Sequence, residues 1–274
     1  MKKVYGIISH PTDHLLSPAL FRAAFKHLKM EAEFKVFDIN PDDPEALANF
    51  TYETDLNQIA GFAVGAPFEE SIMTYMDHYD PLAKIAGSVN TVVNEDSKLI
   101  GYNTLSLGAL QALQEKTTLP GKKALVMGMG HAGRAIAYSL KEFGVDVFVF
   151  DRITEKAEEV AKAFDLMTID YRDIEKEDFD MLINTTRVGS FPNSEEFLLH
   201  EEQIFSHAVV MDLVVHPLKT QLLKVAEKAG AKTVSGDRVL LHTTARQFEL
   251  WFGLEAPREA MEEQLKLFCY GGKI

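Results

Sequence analysis

The chain has 274 residues, 46% hydrophobic and 25% charged, enough for one large soluble domain or two modest ones. Its net charge of −13 repels phosphate backbones and argues against a nucleic-acid partner. The lone cysteine, Cys269, excludes an internal disulfide and fits a reducing, cytoplasmic setting.

The apolar run Val4–Ile8 reads as a strand. It stops at Ser9-His10-Pro11, too soon for a signal segment. No stretch approaches the roughly 18 apolar residues of a membrane span, so no membrane partner is expected. Ser17-Pro18 predicts a helix start, with the hydroxyl at the N-cap and proline at N1. Leu20, Phe21, Phe25 and Leu28 share one face of that helix. Strands are expected over Glu33–Ile39 and Ile59–Val64, and short helices over Asp43–Asn49 and Phe68–Met76. Ser88–Asn94 and Lys98–Tyr102 predict a hairpin across Glu95-Asp96-Ser97.

The second half alternates more regularly. Strands are expected over Lys123–Met127, Val145–Asp151, Met181–Asn184, Val209–Val214 and Lys232–Ser235. Helices fall between them, over Ala132–Phe143, Glu155–Phe164 and Thr220–Ala229. That is the rhythm of a doubly wound parallel sheet. After Gly236 the pattern is helical, with Pro257 opening a last helix. Domain boundaries are expected near Asn103–Thr104 and at Gly236.

Residues 128–134 read Gly-Met-Gly-His-Ala-Gly-Arg, between a strand and a helix. In that context Gly-x-Gly-x-x-Gly predicts a dinucleotide-binding turn. Gly128 permits the tight turn, Gly130 lets backbone approach a pyrophosphate, and Gly133 lets helix and strand pack closely. His131 and Ala132 open the helix, whose first N–H groups and positive dipole end suit phosphate. The alternative is a plain strand–helix turn with no ligand. Asp151 lies 23 residues beyond Gly128, close to the spacing of about 20 for a ribose-binding acid. A carboxylate there favours NAD, whereas Arg152 would hold the extra phosphate of NADP. NAD is therefore expected, with NADP possible. The pair also suits a solvated salt bridge at a strand end. Asn184, Thr186 and Gly189 follow a strand end on the cofactor side, where ribose or nicotinamide contacts belong. Gly236 is expected at the return between domains.

The chain resembles the shikimate dehydrogenase family, including its quinate-using relatives, over nearly its whole length. His14-Leu15-Leu16-Ser17-Pro18, Ser88-Val89-Asn90-Thr91-Val92, Gly101-Tyr102-Asn103-Thr104 and Gly128–Ala135 carry the resemblance. It continues through Ile183–Gly189, Asp212-Leu213-Val214 and Ala245–Trp251. The resemblance implies an α/β fold in two domains. Residues 1–103 with 237–274 would form an N-terminal substrate domain completed by the C-terminal helices. Residues 104–236 would form a Rossmann-type dinucleotide-binding domain. It also implies NAD(P)-dependent oxidation or reduction of a small molecule in the cleft between them, by a monomer or homodimer.

Several family positions are changed. The first carboxylate-binding hydroxyl of the family falls on Leu15, its substrate-binding threonine on Gly65 and its catalytic lysine on Glu69. The catalytic aspartate falls on Leu105, a tyrosine on Val215 and a glutamine on Thr243. Ser17, Asn90, Asn103 and Thr104 are retained as substrate-binding candidates, with Thr243 beside them. In the family, lysine and aspartate pair beside the reacting hydroxyl, and one of them moves its proton. Leu105 cannot titrate, and Glu69 inverts the local charge. Losing two hydroxyl donors and gaining an anion should weaken shikimate on the order of 10³-fold or more.

An altered substrate, neutral or cationic, is therefore expected, an amine for instance. Leu15, Leu16, Phe68, Leu105 and Val215 would either make the site more apolar or simply pack together. Glu69, His14 and His242 are the candidate replacement acids or bases; either histidine can equally be structural. Ser17 is equally explained as a helix cap, and Asn103 and Thr104 equally as hinge residues. The nine histidines and one cysteine show no ligand spacing, so no metal is expected. Two other readings stay open: a dinucleotide-binding sensor without catalysis, and a genuine shikimate or quinate enzyme with a relocated proton relay.

Overall fold

The computed structural model describes residues 3–271. Two compact units divide the chain, Met1–Thr104 with Leu241–Ile274, and Leu105–Leu240. The second division falls inside a continuous helix rather than before it, because no breaker interrupts Gly236–Phe252.

In the first unit the order is β1 (Lys3–Ser9), α1 (Ser17–His27), β2 (Ala32–Asp38), α2 (Ala46–Tyr52) and β3 (Ile59–Val64). Then come a 3-10 turn (Ser71–Tyr75), β4 (His78–Tyr79), α3 (Pro81–Ala86), β5 (Thr91–Glu95) and β6 (Lys98–Tyr102). The sheet runs β2-β1-β3-β5-β6-β4, with β5 antiparallel to β3 and β6. The hairpin turn holds Asp96 and Ser97 at φ 50° and 62°, as the right-handed twist of the strands favours. Alternation along β1 buries both faces. Val4 and Ile8 meet Phe62, Phe68 and Ile72 on one side. Tyr5 meets the rings of Trp251 and Phe252 on the other.

Two expectations need correction here. The helix expected over Phe68–Met76 is the 3-10 turn only, because Phe68 is drawn into the core with Val4 and Ile8. Ser17 does not cap α1. Leu16 occupies the N-cap with φ −93° and ψ −30°, already helical, so Ser17 is the first helical residue and lies outside the extended conformation a capping side chain needs.

The second unit holds α4 (Leu105–Gln114), β7 (Lys123–Met127), α5 (His131–Glu142), β8 (Asp146–Phe150), α6 (Thr154–Phe164) and β9 (Met167–Thr168). A 3-10 turn (Tyr171–Lys176), β10 (Met181–Asn184), β11 (Val209–Asp212), α7 (Gln221–Lys228) and β12 (Lys232–Val234) follow. The next helix, α8 (Gly236–Phe252), crosses into the first unit, and α9 (Arg258–Tyr270) ends the chain there. All strand pairs of this sheet are parallel, in the order β12-β11-β10-β7-β8-β9. Parallel strands covered on both faces need near-continuous apolar runs. Accordingly Ala124 and Val126 face one core while Leu125 and Met127 face the other. Strand order reverses between β7 and β10, the switch point where doubly wound sheets bind ligands. Among the described residues no helix is long and apolar enough to cross a membrane.

Candidate cofactor and substrate sites

β7 ends at Met127 and α5 begins at His131, so Gly128, Met129 and Gly130 make the whole connection. Gly128 sits at φ +98°, a conformation that penalises any Cβ. A Cβ on Gly133 would lie 1.8 Å from the carbonyl oxygen of Gly128, so turn and helix meet backbone to backbone. Gly130 differs. Nothing lies within 4 Å of its Cβ position, and as N-cap it offers no side chain to the helix. Open space beside unsatisfied helix N–H groups is what a pyrophosphate requires.

The turn is held from three sides. The Gly128 amide donates to the Phe150 carbonyl at 2.8 Å. Thr185 Oγ1 lies 2.8 Å from the Met127 carbonyl oxygen and 2.7 Å from that of Gly128. Asp151 accepts the Met129 amide on Oδ2 at 2.7 Å and the Ile153 amide on Oδ1 at 2.9 Å. Its carboxylate thus shapes the turn. Among the described residues no ion pair joins it to Arg152, which replaces the expected strand-end salt bridge.

A cavity of about 640 Å³ opens at this switch point. Of the expected cofactor residues, Gly128, Gly130, Asp151, Arg152 and Thr186 line it. Lys156, Arg187 and Phe191 line it too and escaped the sequence reading. Lys156 was legible as the residue four beyond Arg152, one turn into the helix after the strand. His131, Ala132, Gly133, Asn184, Gly189 and Gly236 lie outside the lining. Gly189 makes a turn at φ +85°. A Cβ on Gly236 would lie 2.4 Å from the Val214 carbonyl oxygen, so that glycine serves close packing.

Asn184 acts through its neighbours. Its Oδ1 accepts the Thr186 amide at 2.9 Å and the Thr186 hydroxyl at 2.7 Å. Its Nδ2 donates to Asp212 Oδ1 at 2.9 Å. Asp212 is fully buried and also accepts the Val214 amide at 3.1 Å and the Thr220 hydroxyl at 2.7 Å. Burial pushes its carboxyl up to about 6 despite those donors.

In the first unit, four polar residues converge on Asn90. Its Oδ1 accepts the Thr91 hydroxyl at 2.8 Å, the Thr104 amide at 2.9 Å and the Thr104 hydroxyl at 3.1 Å. Gln247 Nε2 donates to the Asn90 carbonyl at 3.0 Å and to Thr91 Oγ1 at 3.2 Å. Thr91 and Gln247 were missed, since 156 residues separate them and no local pattern joins them. Asn103 instead spends its Nδ2 on the Ser88 carbonyl and hydroxyl, each at 3.1 Å. Thr243, one helical turn before Gln247, keeps a buried hydroxyl with no hydrogen-bond partner among the described residues. Ser17 is buried at the start of α1, His14 is exposed in the loop before it, and His242 is half-buried on α8. Glu69 is half-buried after β3, where its carbonyl accepts the Val89 amide at 2.7 Å. Among the described residues no group of acidic, histidine or cysteine side chains could hold a metal ion.

A doubly wound nucleotide unit with a glycine turn, joined in one chain to an α/β unit bearing a polar cluster, defines the class of NAD(P)-dependent oxidoreductases. The family model of the shikimate dehydrogenase substrate binding domain matches residues 7–92, and that of the shikimate 5'-dehydrogenase C-terminal domain matches 245–266. The NAD binding domain of D-isomer specific 2-hydroxyacid dehydrogenases matches residues 102–187. Shikimate dehydrogenase (NADP(+)) of Bacillus cereus is 36% identical, over 99% of this chain and all of that one. The chain belongs to the shikimate dehydrogenase family. The Thermus thermophilus enzyme, solved with NADP(H) and shikimate, superposes with a TM-score of 0.88 at 32% identity, covering 96% of this chain and 98% of that one. Ligand-free 5-ketofructose reductase of Gluconobacter superposes with a TM-score of 0.86 at 25% identity, covering 98% and 99%.

Proposed function

We propose that the protein is an NAD(P)-dependent oxidoreductase of this family whose substrate is a small neutral or cationic compound rather than shikimate. The observation that carries the reading is the pair of family catalytic positions, occupied by Glu69 and Leu105. Leu105 starts α4 and packs against the core of the second unit. The position of the family's substrate threonine supports the same reading. A Cβ on Gly65 would lie 2.9 Å from Ser9 Oγ and 3.2 Å from Ser9 Cβ, so a threonine could return only if Ser9 moved.

Gly128, Gly130 and the first turn of α5 would hold the pyrophosphate. A bound nicotinamide supplies the redox chemistry. The chain's own part is to orient the substrate and move a proton, with Glu69, His14 and His242 as the available groups. Arg152 and Lys156 line the cavity beside an Asp151 already engaged by two amides. That arrangement supports acceptance of NADP alongside NAD. The cytoplasm, where both nucleotides are abundant, is the proposed location.

The missing acid–base pair also favours a second reading, a dinucleotide-binding regulator without turnover. A thermal-shift and turnover panel separates the two. It contains NAD, NADP, shikimate, quinate, 5-ketofructose and small amines. Stabilisation by a dinucleotide, and turnover of a panel member other than shikimate or quinate, is the expected result. Efficient shikimate turnover would overturn the altered-substrate reading. Binding without turnover of any compound would favour the regulator, and no shift with either dinucleotide would overturn both.

A further inference from the structure

The hydrogen bonds around Asn90 have a forced direction. The Thr104 backbone amide can only donate, so the Asn90 atom 2.9 Å from it must be the carbonyl oxygen. That oxygen also receives the Thr91 and Thr104 hydroxyls. Turning the Asn90 amide over would set an NH2 group against the Thr104 N–H. Thr91 Oγ1 can hold its proton toward Asn90 because it receives one from Gln247 Nε2 at 3.2 Å. The other hydrogen of Gln247 Nε2 goes to the Asn90 carbonyl. The chain of donors therefore starts at Gln247, passes through Thr91 and ends on Asn90. Asn90 Nδ2 meets no acceptor among the residues described, and Asn90 is itself only half-buried.

We propose that Gln247 is a positioning residue. Acting through Thr91, it locks Asn90 with its oxygen inward and its NH2 outward, so the substrate group received there is a hydroxyl or carbonyl oxygen and not an ammonium. Gln247 stands one helical turn beyond Thr243, where the family resemblance places a glutamine. The amide on this helix face is thus displaced toward β5, onto the backbone of a substrate residue. The inference rests on the reading of this unit as the substrate domain. Of the two substrate classes that reading leaves open, it selects the neutral oxygen compound.

The test follows the side-chain amide signals of 15N-labelled full-length protein, with 5-ketofructose as the oxygen-bearing probe and cyclohexylamine as the ammonium probe. In the wild type, the two Asn90 Nδ2 protons should stay distinct, and only 5-ketofructose should shift them. Thr91→Val and Gln247→Met should average those protons by freeing the amide, and should weaken 5-ketofructose binding at least tenfold. Thr91→Ser keeps the hydroxyl and should restore both signal and affinity. A merely structural role would lower the melting temperature of Thr91→Val and Gln247→Met without changing the Asn90 signal, and would overturn the positioning claim. A shift by cyclohexylamine, or none by 5-ketofructose, would overturn the substrate class. A 5-ketofructose shift with no NADPH oxidation would overturn the oxidoreductase reading while supporting this one.

Discussion

Asp212 shows how one residue can report on a buried network. Its pKa is raised from 3.8 to about 6, first by burial and in spite of the donors from Thr220, Val214 and Asn184. A carboxyl with a folded pKa above its unfolded one stabilises the fold when protonated. Its contribution is complete below about pH 4 and is lost as the pH rises through about 6. The loss amounts to about 3 kcal/mol at neutral pH. Asp212→Asn does not titrate and can keep the three contacts, with its Nδ2 donating to the Thr220 hydroxyl. The melting-temperature advantage of D212N over the wild type should therefore grow from pH 4 to pH 7.5. A difference that stays constant across that range would contradict the account. The aspartate was visible in the sequence within Asp212-Leu213-Val214. Its burial was not, because Thr220 and Asn184 approach it from separate loops. For the same reason the capping role read into Ser17 failed: only coordinates show that Leu16 is already helical.

At the scale of elements, the strand–turn–helix of β7 and α5 was legible to within a residue. Gly128 and Gly133 are demanded by local geometry, and local geometry is what a short motif encodes. Helix α3 was missed although Asp80 caps it by accepting the Ala83 amide at 2.8 Å, followed by Pro81 at the helix start. A six-residue helix is too short to show a period. The dinucleotide turn yields a clean test at Gly130. A Cβ there meets nothing and the backbone is extended, so Gly130→Ala should fold with an unchanged or slightly raised melting temperature. The same methyl enters the space assigned to the pyrophosphate. NADP and NAD should bind at least tenfold more weakly, measured by titration calorimetry. Unchanged affinity would remove the turn from the cofactor site. Gly133→Ala should fail differently, by destabilising the fold, since its Cβ would overlap the Gly128 carbonyl oxygen.

The whole molecule combines a family frame with changed chemistry. Fold class, parallel sheet and glycine turn could be read in the sequence because each rests on short-range pattern. The Asn90 cluster could not, because Gln247 reaches it from the far end of the chain. The charge inversion at Glu69 and the loss of a titratable group at Leu105 are whole-molecule statements. They concern residues from two different units, and they mean something only against the family frame. The most direct measurement is NADP-dependent shikimate oxidation, kcat/KM, for the wild type and for E69K/L105D. The wild type should turn over shikimate at least 10³-fold less efficiently than the Bacillus cereus relative, in line with the order of magnitude expected from lost donors and an added anion. The double variant should recover at least tenfold. Wild-type turnover equal to that of the relative, with no gain in the double variant, would contradict the proposal of an altered substrate.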